Sequence, residues 1–289
     1  MAERTWPALE VGRLKPAPDS DVVTATLLDY SVAAIEETSP DSWRVFFNSH
    51  TDRDSAASGL ARQFPELTMH AVDLPDEDWA AKSQATLKCV QVGGVIVAPP
   101  WDIPHTGRLK PVAIGTRVGK PIVIVIQPSM GFGTAHHETT RLCLMALQQS
   151  DLGSSSVLDV GTGSGVLAIA ASRLGAPRVV AIDEDPNAIH AVTENLHLNR
   201  GASVVVREGD FRSATFEPFQ VVVANLTGAL LREAAPRILE LTAPGGRIIL
   251  SGFTKDEEKA VGGEYASAQV TGRTDEGDWV CVTLMRGEP

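Results

Sequence analysis

The sequence predicts an α/β protein: a mainly parallel, Rossmann-like sheet closed by an antiparallel hairpin, preceded by a small α+β ferredoxin-like domain. Three observations carry this. From Thr139 onward, short strands that are apolar throughout alternate with helical segments, the pattern of a parallel sheet covered on both faces. Before residue 75, short strands and helices follow a βαββαβ order. Between these regions, 76–128 is rich in proline and glycine.

In the first region, Trp6 to Val11 reads as a strand, Asp21 to Asp29 as a helix, and Ser31 to Glu36 and Trp43 to Asn48 as strands. Ser55 to Phe64 reads as a helix and Leu67 to Leu74 as a strand, which makes 1–75 one small domain. Residues 76–128 read as a linker carrying extended segments, GGVIVAPPW and PIVIVIQP, that crosses to a second domain at 129–289. There, a helix over Thr139 to Gln148 leads to a strand VLDV (157–160), a glycine-rich turn, an apolar helix to Leu174 and a strand VVAI (179–182). Asp185 and Pro186 supply an N-cap and first-turn proline for a helix to Asn199. SVVV, VVVAN, a helix over Ala229 to Leu241, a PGG turn and RIILS follow. Gln269 to Thr274 and Trp279 to Met285, around DEGD, form the closing hairpin.

Composition bounds the function. With Lys+Arg 25 against Asp+Glu 36, the net charge is -11, which argues against sequence-specific nucleic-acid binding and favours a basic partner. Cys89, Cys143 and Cys281 are far apart and lack CxxC or Cys/His spacing, so neither a disulfide framework nor a structural zinc site is expected. The opening MAERTWPALEVGRLKP has no basic head and apolar stretch, and no run approaches the roughly 20 apolar residues of a spanning helix. A soluble, unprocessed, cytoplasmic protein is the expectation.

The turn from Asp159 through Gly161, Thr162 and Gly163 to Gly165 lies between a strand and a helix, where glycines admit a ligand to backbone N–H groups. A dinucleotide fingerprint counted from Gly161 fails at Val166, although Gly163-x-Gly165-x-x-Ala168 leaves a degenerate version open. Asp159 at the strand end repels a pyrophosphate but can accept hydrogen bonds from the ammonium of an amino-acid-bearing cofactor such as S-adenosylmethionine. Asp183, 22 residues after Gly161 and at the next strand end, is placed for two ribose hydroxyls. Asp210 in EGD is a candidate for the adenine amino group, or simply part of a solvated turn.

Asn225 ends the fourth strand of this sheet, at the edge where open α/β sheets bind ligands. In methyl transfer from a sulfonium to a neutral amine, an Asn oxygen and a backbone carbonyl can accept the two N–H bonds and aim the lone pair. The alternative reading of Asn225 is a strand-terminal turn residue. Upstream, the loop with Phe132, His136, His137 and Thr139 suits a segment folding over a ligand, with Thr139 or Thr140 capping the next helix and offering hydroxyls. Adjacent His136 and His137 diverge, and no HxxxH or HExxH occurs, so no metal is expected. His190 and His197 read as surface or partly packed. GxSxG and P-loop spacings are absent.

Over more than 200 residues the sequence resembles the ribosomal protein L11 methyltransferase family. The motifs are DW at Trp79, VIVAPPW at Trp101, FGT before a His and TT, VLDVGTGSGVLAIAASRLGA, VVAIDEDPNAI, VVVANL, APGGRIILSG and DWVCVTLMR. The resemblance implies a ferredoxin-like substrate-recognition domain, a linker and a class I methyltransferase domain. It implies S-adenosylmethionine at Thr140, Gly161, Asp183 and Asn225, and as substrate the lysine ε-amines and an α-amine of ribosomal protein L11. Two segments depart from the family: FGTAHHETT stands for FGTGTHPTT, and Asn225-Leu-Thr-Gly-Ala-Leu-Leu replaces Asn-(Ile/Leu)-Leu-Ala-Gly-Pro-Leu, which bears on substrate identity more than on the methyl chemistry. The competing readings are a methyltransferase of the same fold acting on another protein or a small amine, a nucleobase methyltransferase, an idle cofactor-binding module and a nicotinamide-dependent dehydrogenase. No aromatic ring follows Asn225 to stack a flipped base.

Overall fold

Parallel strands that are buried on both faces need helices on both faces, and this requirement shapes the larger part of the chain. The structure, a computed structural model, describes residues 5–13, 30, 32–39, 42–75, 87–105, 109–114, 117–128 and 137–288. It divides into two compact units, Met1–Ser83 and Gln84–Pro289.

The first unit holds β1 (Thr5–Arg13), β2 (Val32–Ser39), β3 (Ser42–Phe47), helix α1 (His50–Gln63) and β4 (Leu67–Pro75). The sheet order β2-β3-β1-β4 is antiparallel throughout, as a ferredoxin-like motif requires. Leu9, Val11, Val45 and Phe47 bury one face against Ala56 and Leu60 of α1. This helix starts five residues before the expected Ser55, because Ser49 caps it by accepting the Asp52 N–H at 3.1 Å. The helix expected over Asp21 to Asp29 lies outside the described residues.

In the second unit, the extended segments of 76–128 include β5 (Val90–Val92), β6 (Val95–Ala98) and β9 (Ile122–Val125), with a hairpin of β7 (Val112–Ile114) and β8 (Arg117–Gly119). These segments do more than connect. Val95, Val97 and Ile124 are fully buried in the same core as the main sheet. Buried amides fasten them: α2 (Glu138–Gln148) carries Gln148, whose Oε1 accepts the Gly94 N–H at 2.7 Å and whose Nε2 donates to the Val92 carbonyl at 2.9 Å. On α4 (Pro186–Leu198) and its C-cap, Asn195 and Asn199 accept the N–H groups of Gln127 and Val125, at 2.8 and 2.9 Å.

The main sheet runs β12-β11-β10-β13-β14-β16-β15. Its strands are β10 (Ser156–Val160), β11 (Arg178–Asp183), β12 (Val205–Glu208), β13 (Phe219–Asn225), β14 (Thr242–Thr254), β15 (Ala268–Glu276) and β16 (Trp279–Arg286). The first five pair in parallel and β16 joins antiparallel, closing the sheet as the sequence predicts. Alternation assigns the faces. Val157, Val179 and Val223 face α2 and α3 (Val166–Arg173), while Leu158, Val180 and Val222 face α5 (Gly228–Glu233), α6 (Ala235–Leu241) and α7 (Glu258–Glu264).

Two expectations change. The helix over 229–241 is two helices that break at Ala234, since Pro236 has no N–H to continue the ladder and instead sits in the first turn of α6. The PGG turn lies inside β14, where the pairing jumps from Phe219↔Thr242 to Val221↔Arg247 and Gly245 takes φ +70°.

Candidate active site at the switch point of the sheet

The chain steps outward from β10 to β11 and β12, then returns to the other side of β10 as β13. Such a reversal opens a crevice at the carboxyl ends of the strands. A cavity of about 760 Å³ lies there, lined among others by Gly161, Asp183, Asn225, Gly252 and Trp279. It therefore spans the ends of five strands.

The floor on one side is the glycine turn. Gly161 has φ +66° and Gly163 φ +53°, and the N–H groups of Gly161 and Thr162 donate to the Ile182 carbonyl, at 3.0 and 3.1 Å. The Gly163 N–H donates to Asp183 Oδ2 at 2.9 Å and the Asp185 N–H to Oδ1 at 3.1 Å, so the half-buried Asp183 is held rigidly while facing the cavity. Each carboxylate oxygen retains a lone pair for a ligand. Gly165 caps α3 at φ +81° and packs against Val192, where a Cβ would sit 2.3 Å from the valine Cγ2; it does not line the cavity.

Asp159 sits differently from the expectation. It shares a face of β10 with Val157, so its carboxylate turns under the glycine turn, 1% exposed, and does not line the cavity. Oδ2 accepts from the Thr162 hydroxyl at 2.6 Å and the Ala168 N–H at 3.1 Å. Thr162 is likewise buried and spent on this bond. Burial, helped by the negative charge of Asp183, pushes the Asp159 carboxyl up to about 6 from an ordinary 3.8. Its folded form binds more protons than the unfolded chain between those values. The stability it contributes is complete below the ordinary value and lost as pH rises through 6, a cost of about 3 kcal/mol at neutral pH. Asp159→Asn keeps an oxygen for both donors, so the variant should unfold at higher urea concentration than the parent at pH 8 and at the same concentration near pH 4. No gain at pH 8 contradicts this.

On the other side, Asn225 is half-buried at the end of β13, paired with Ser251, and its Nδ2 donates to Thr140 Oγ1 at 3.4 Å. Thr140 is 2% exposed and does not line the cavity; its hydroxyl faces Asn225. Thr139 and His137 do line it. Neither threonine caps α2. His137 does so, in extended conformation, with Nδ1 accepting the Thr139 N–H at 3.3 Å and contacting its hydroxyl at 2.8 Å. Phe132 and His136 lie outside the described residues.

Asp210 is not part of the cavity lining. It is paired with Arg212, whose Nε reaches both oxygens at 2.8 and 3.0 Å, and the guanidinium holds its carboxyl below the usual range. Among residues without a predicted role, Trp279, Gly252 and His190 line the cavity. The first two belong to strands whose neighbours only the topology reveals; His190 lies on α4 and pairs with Glu194 at 3.4 Å. Among the described residues, no group of three or more His, Cys, Asp or Glu could hold a metal ion, and no helix is long and apolar enough to cross a membrane.

Residues 21–287 match the family model described as ribosomal protein L11 methyltransferase (PrmA). The ribosomal protein L11 methyltransferase of Myxococcus xanthus is 35% identical over 245 residues, 83% of this chain and 80% of its own. That of Thermus thermophilus is 38% identical over 248 residues, 81% of this chain and 92% of its own. A crystal structure of ribosomal protein L11 methylase from Lactobacillus delbrueckii subsp. bulgaricus superimposes with a TM-score of 0.62 at 25% identity, covering 70% of this chain and all of that one.

Proposed function

Because this chain belongs to the ribosomal protein L11 methyltransferase family, we propose that it methylates lysine side chains, and the N-terminal amine, of ribosomal protein L11 in the cytoplasm, using the crevice at the β10/β13 switch point. It is an S-adenosylmethionine-dependent methyltransferase on a class I fold with an added N-terminal subdomain. The observation that carries the assignment of the site is the meeting of Gly161, Asp183 and Asn225, far apart in sequence, around one cavity.

The residues present fit this cofactor. Gly161 and Gly163 expose bare backbone to the cavity, and Asp183 offers two oxygens already oriented by backbone N–H groups, a match for a ribose diol. Bound there, S-adenosylmethionine supplies an electrophilic methyl group on a sulfonium. Asp159 and Thr162 serve from beneath by holding the turn in shape, and Asp210, paired with Arg212, has no part in the lining. Asn225 Oδ1 accepts an amine N–H and directs the nitrogen lone pair into the cavity, because Nδ2 is engaged by Thr140 on the opposite side. The ammonium must lose a proton before attack, so turnover rises with pH toward the amine's own range. The net charge of -11 favours approach of a basic acceptor.

Incubation with labelled S-adenosylmethionine and purified ribosomal protein L11, followed by mass spectrometry, tests the assignment; cofactor binding without transfer would leave only an idle module. Asp183→Ala should raise the cofactor dissociation constant by about 10- to 100-fold, since the ribose hydroxyls and the Gly163 N–H lose their acceptor. Calorimetry checks it, and unchanged affinity would displace Asp183 from the ribose.

A further inference from the structure

The cavity extends from Asp183, which would hold the nucleoside of the cofactor, past Asn225 to Trp279. From β11, which ends in Asp183, to β16, which starts with Trp279, the sheet steps across β10, β13 and β14. Four interstrand spacings put these ends about 19 Å apart. Since β16 is antiparallel to β14, its first residue lies at the same edge of the sheet as the last residue of β13. Trp279 thus reaches the cavity from the far side of Asn225. Its ring meets His137 edge-on, with centroids 4.8 Å apart and planes at 66°. His137 is fixed in turn by its cap on α2, the helix that supplies Thr140 to Asn225.

A second set of contacts secures this corner. The β15–β16 hairpin turns tightly, so that Glu276 is the cross-strand neighbour of Trp279. Arg141, one turn into α2, donates to Glu276 through a fork, with Nη2 to Oε1 at 2.7 Å and Nε to both oxygens at 3.1 Å. Glu138 lies 3.2 Å from the same guanidinium. One ion pair therefore ties the end of β15, the cross-strand neighbour of Trp279, to the helix that His137 caps. Arg141 and Glu276 are absent from the cavity lining, so they act through the residues they hold.

We propose that Trp279 and His137 form the acceptor-side wall of the cavity, an aromatic surface that receives the lysine side chain, and that the Arg141–Glu276 ion pair is the positioning device that keeps this wall in register with Asn225. An indole suits this acceptor. Its face attracts the incoming ammonium and the methylated ammonium that follows, and its area covers the methylene stem. The inference rests on the reading of the site as a protein-lysine methyltransferase.

Steady-state transfer to purified ribosomal protein L11, with calorimetry for L11 and for S-adenosylmethionine, tests it. Trp279→Leu should raise the acceptor KM and Kd by about tenfold while cofactor Kd stays within about twofold. Glu276→Ala and Arg141→Ala should move acceptor KM the same way by a smaller factor, and Arg141→Lys, which keeps charge but not the fork, should recover part of it. A merely structural ion pair would lower the unfolding midpoint and leave KM in place. If Arg141→Ala does not fold, Glu276→Ala, at an exposed hairpin turn, carries the comparison. Unchanged acceptor KM in Trp279→Leu overturns the wall, as does a parallel rise in cofactor Kd, which would assign Trp279 to the cofactor. A parent protein that neither binds nor methylates L11 overturns the functional reading and the inference together; a parent active on L11 with an indifferent Trp279 overturns the inference alone.

Discussion

Asn225→Ala is expected to lower methyl-transfer turnover by about 100-fold while cofactor affinity changes only a few-fold. The side chain is anchored at both ends: backbone pairing with Ser251 fixes its Cα at the strand end, and Thr140 fixes the amide. Alanine keeps the first anchor and deletes the acceptor, so the amine can still enter but its lone pair is no longer aimed. Asn225→Asp makes a sharper comparison, because a carboxylate of similar shape holds the incoming amine in its charged, non-nucleophilic form. Single-turnover rates with saturating cofactor, beside calorimetric cofactor titration, separate the two quantities. Wild-type turnover in Asn225→Ala would return Asn225 to the role of a strand-terminal turn residue.

The second large effect is expected at Gly252, for a steric reason. Leu226, which follows Asn225, is wedged between two glycines. A Cβ on Gly161 would lie 2.5 Å from Leu226 Cδ2, and one on Gly252 would lie 2.2 Å from the Leu226 carbonyl oxygen. The Leu226 N–H also donates to the Ser251 carbonyl at 3.0 Å, so the backbone cannot retreat without losing that bond. Gly252 has φ +96°, outside the comfortable range of L-residues. Gly252→Ala should cost on the order of 3 kcal/mol or more in urea unfolding, and should depress turnover even where the variant is folded, by displacing Asn225. Gly262→Ala is the control: its Cβ meets nothing within 4 Å on α7, and its stability should hold or rise. A Gly252→Ala protein as stable and active as the parent would mean that the β13–β14 junction yields more readily than its packing indicates.

Local signals explain what was readable in the chain. The cap at Asp185 and the helix start at Pro186 are where sequence alone places them, because Asp-Pro before an amphipathic run has few other uses. The break at Pro236 was equally local, yet the apolar period running through it gave a single helix. His137 displaced both threonines as the cap of α2, since an imidazole Nδ1 can accept the bond that a hydroxyl was expected to take.

By itself the sequence determined the alternation of apolar strands with capped helices, and hence a parallel sheet with a closing hairpin. It also determined the glycine turn and the acids at two strand ends, since each is a matter of neighbours in the chain and a fixed period of two or 3.6 residues. Only the tertiary structure decided which of those acids meets the cavity. Asp183 faces it, while Asp159 lies on a buried strand face and is spent on the turn beneath. Tertiary structure also brought Gly252 and Trp279 to Asn225, because strand order and direction are set by long-range pairing that no local pattern encodes.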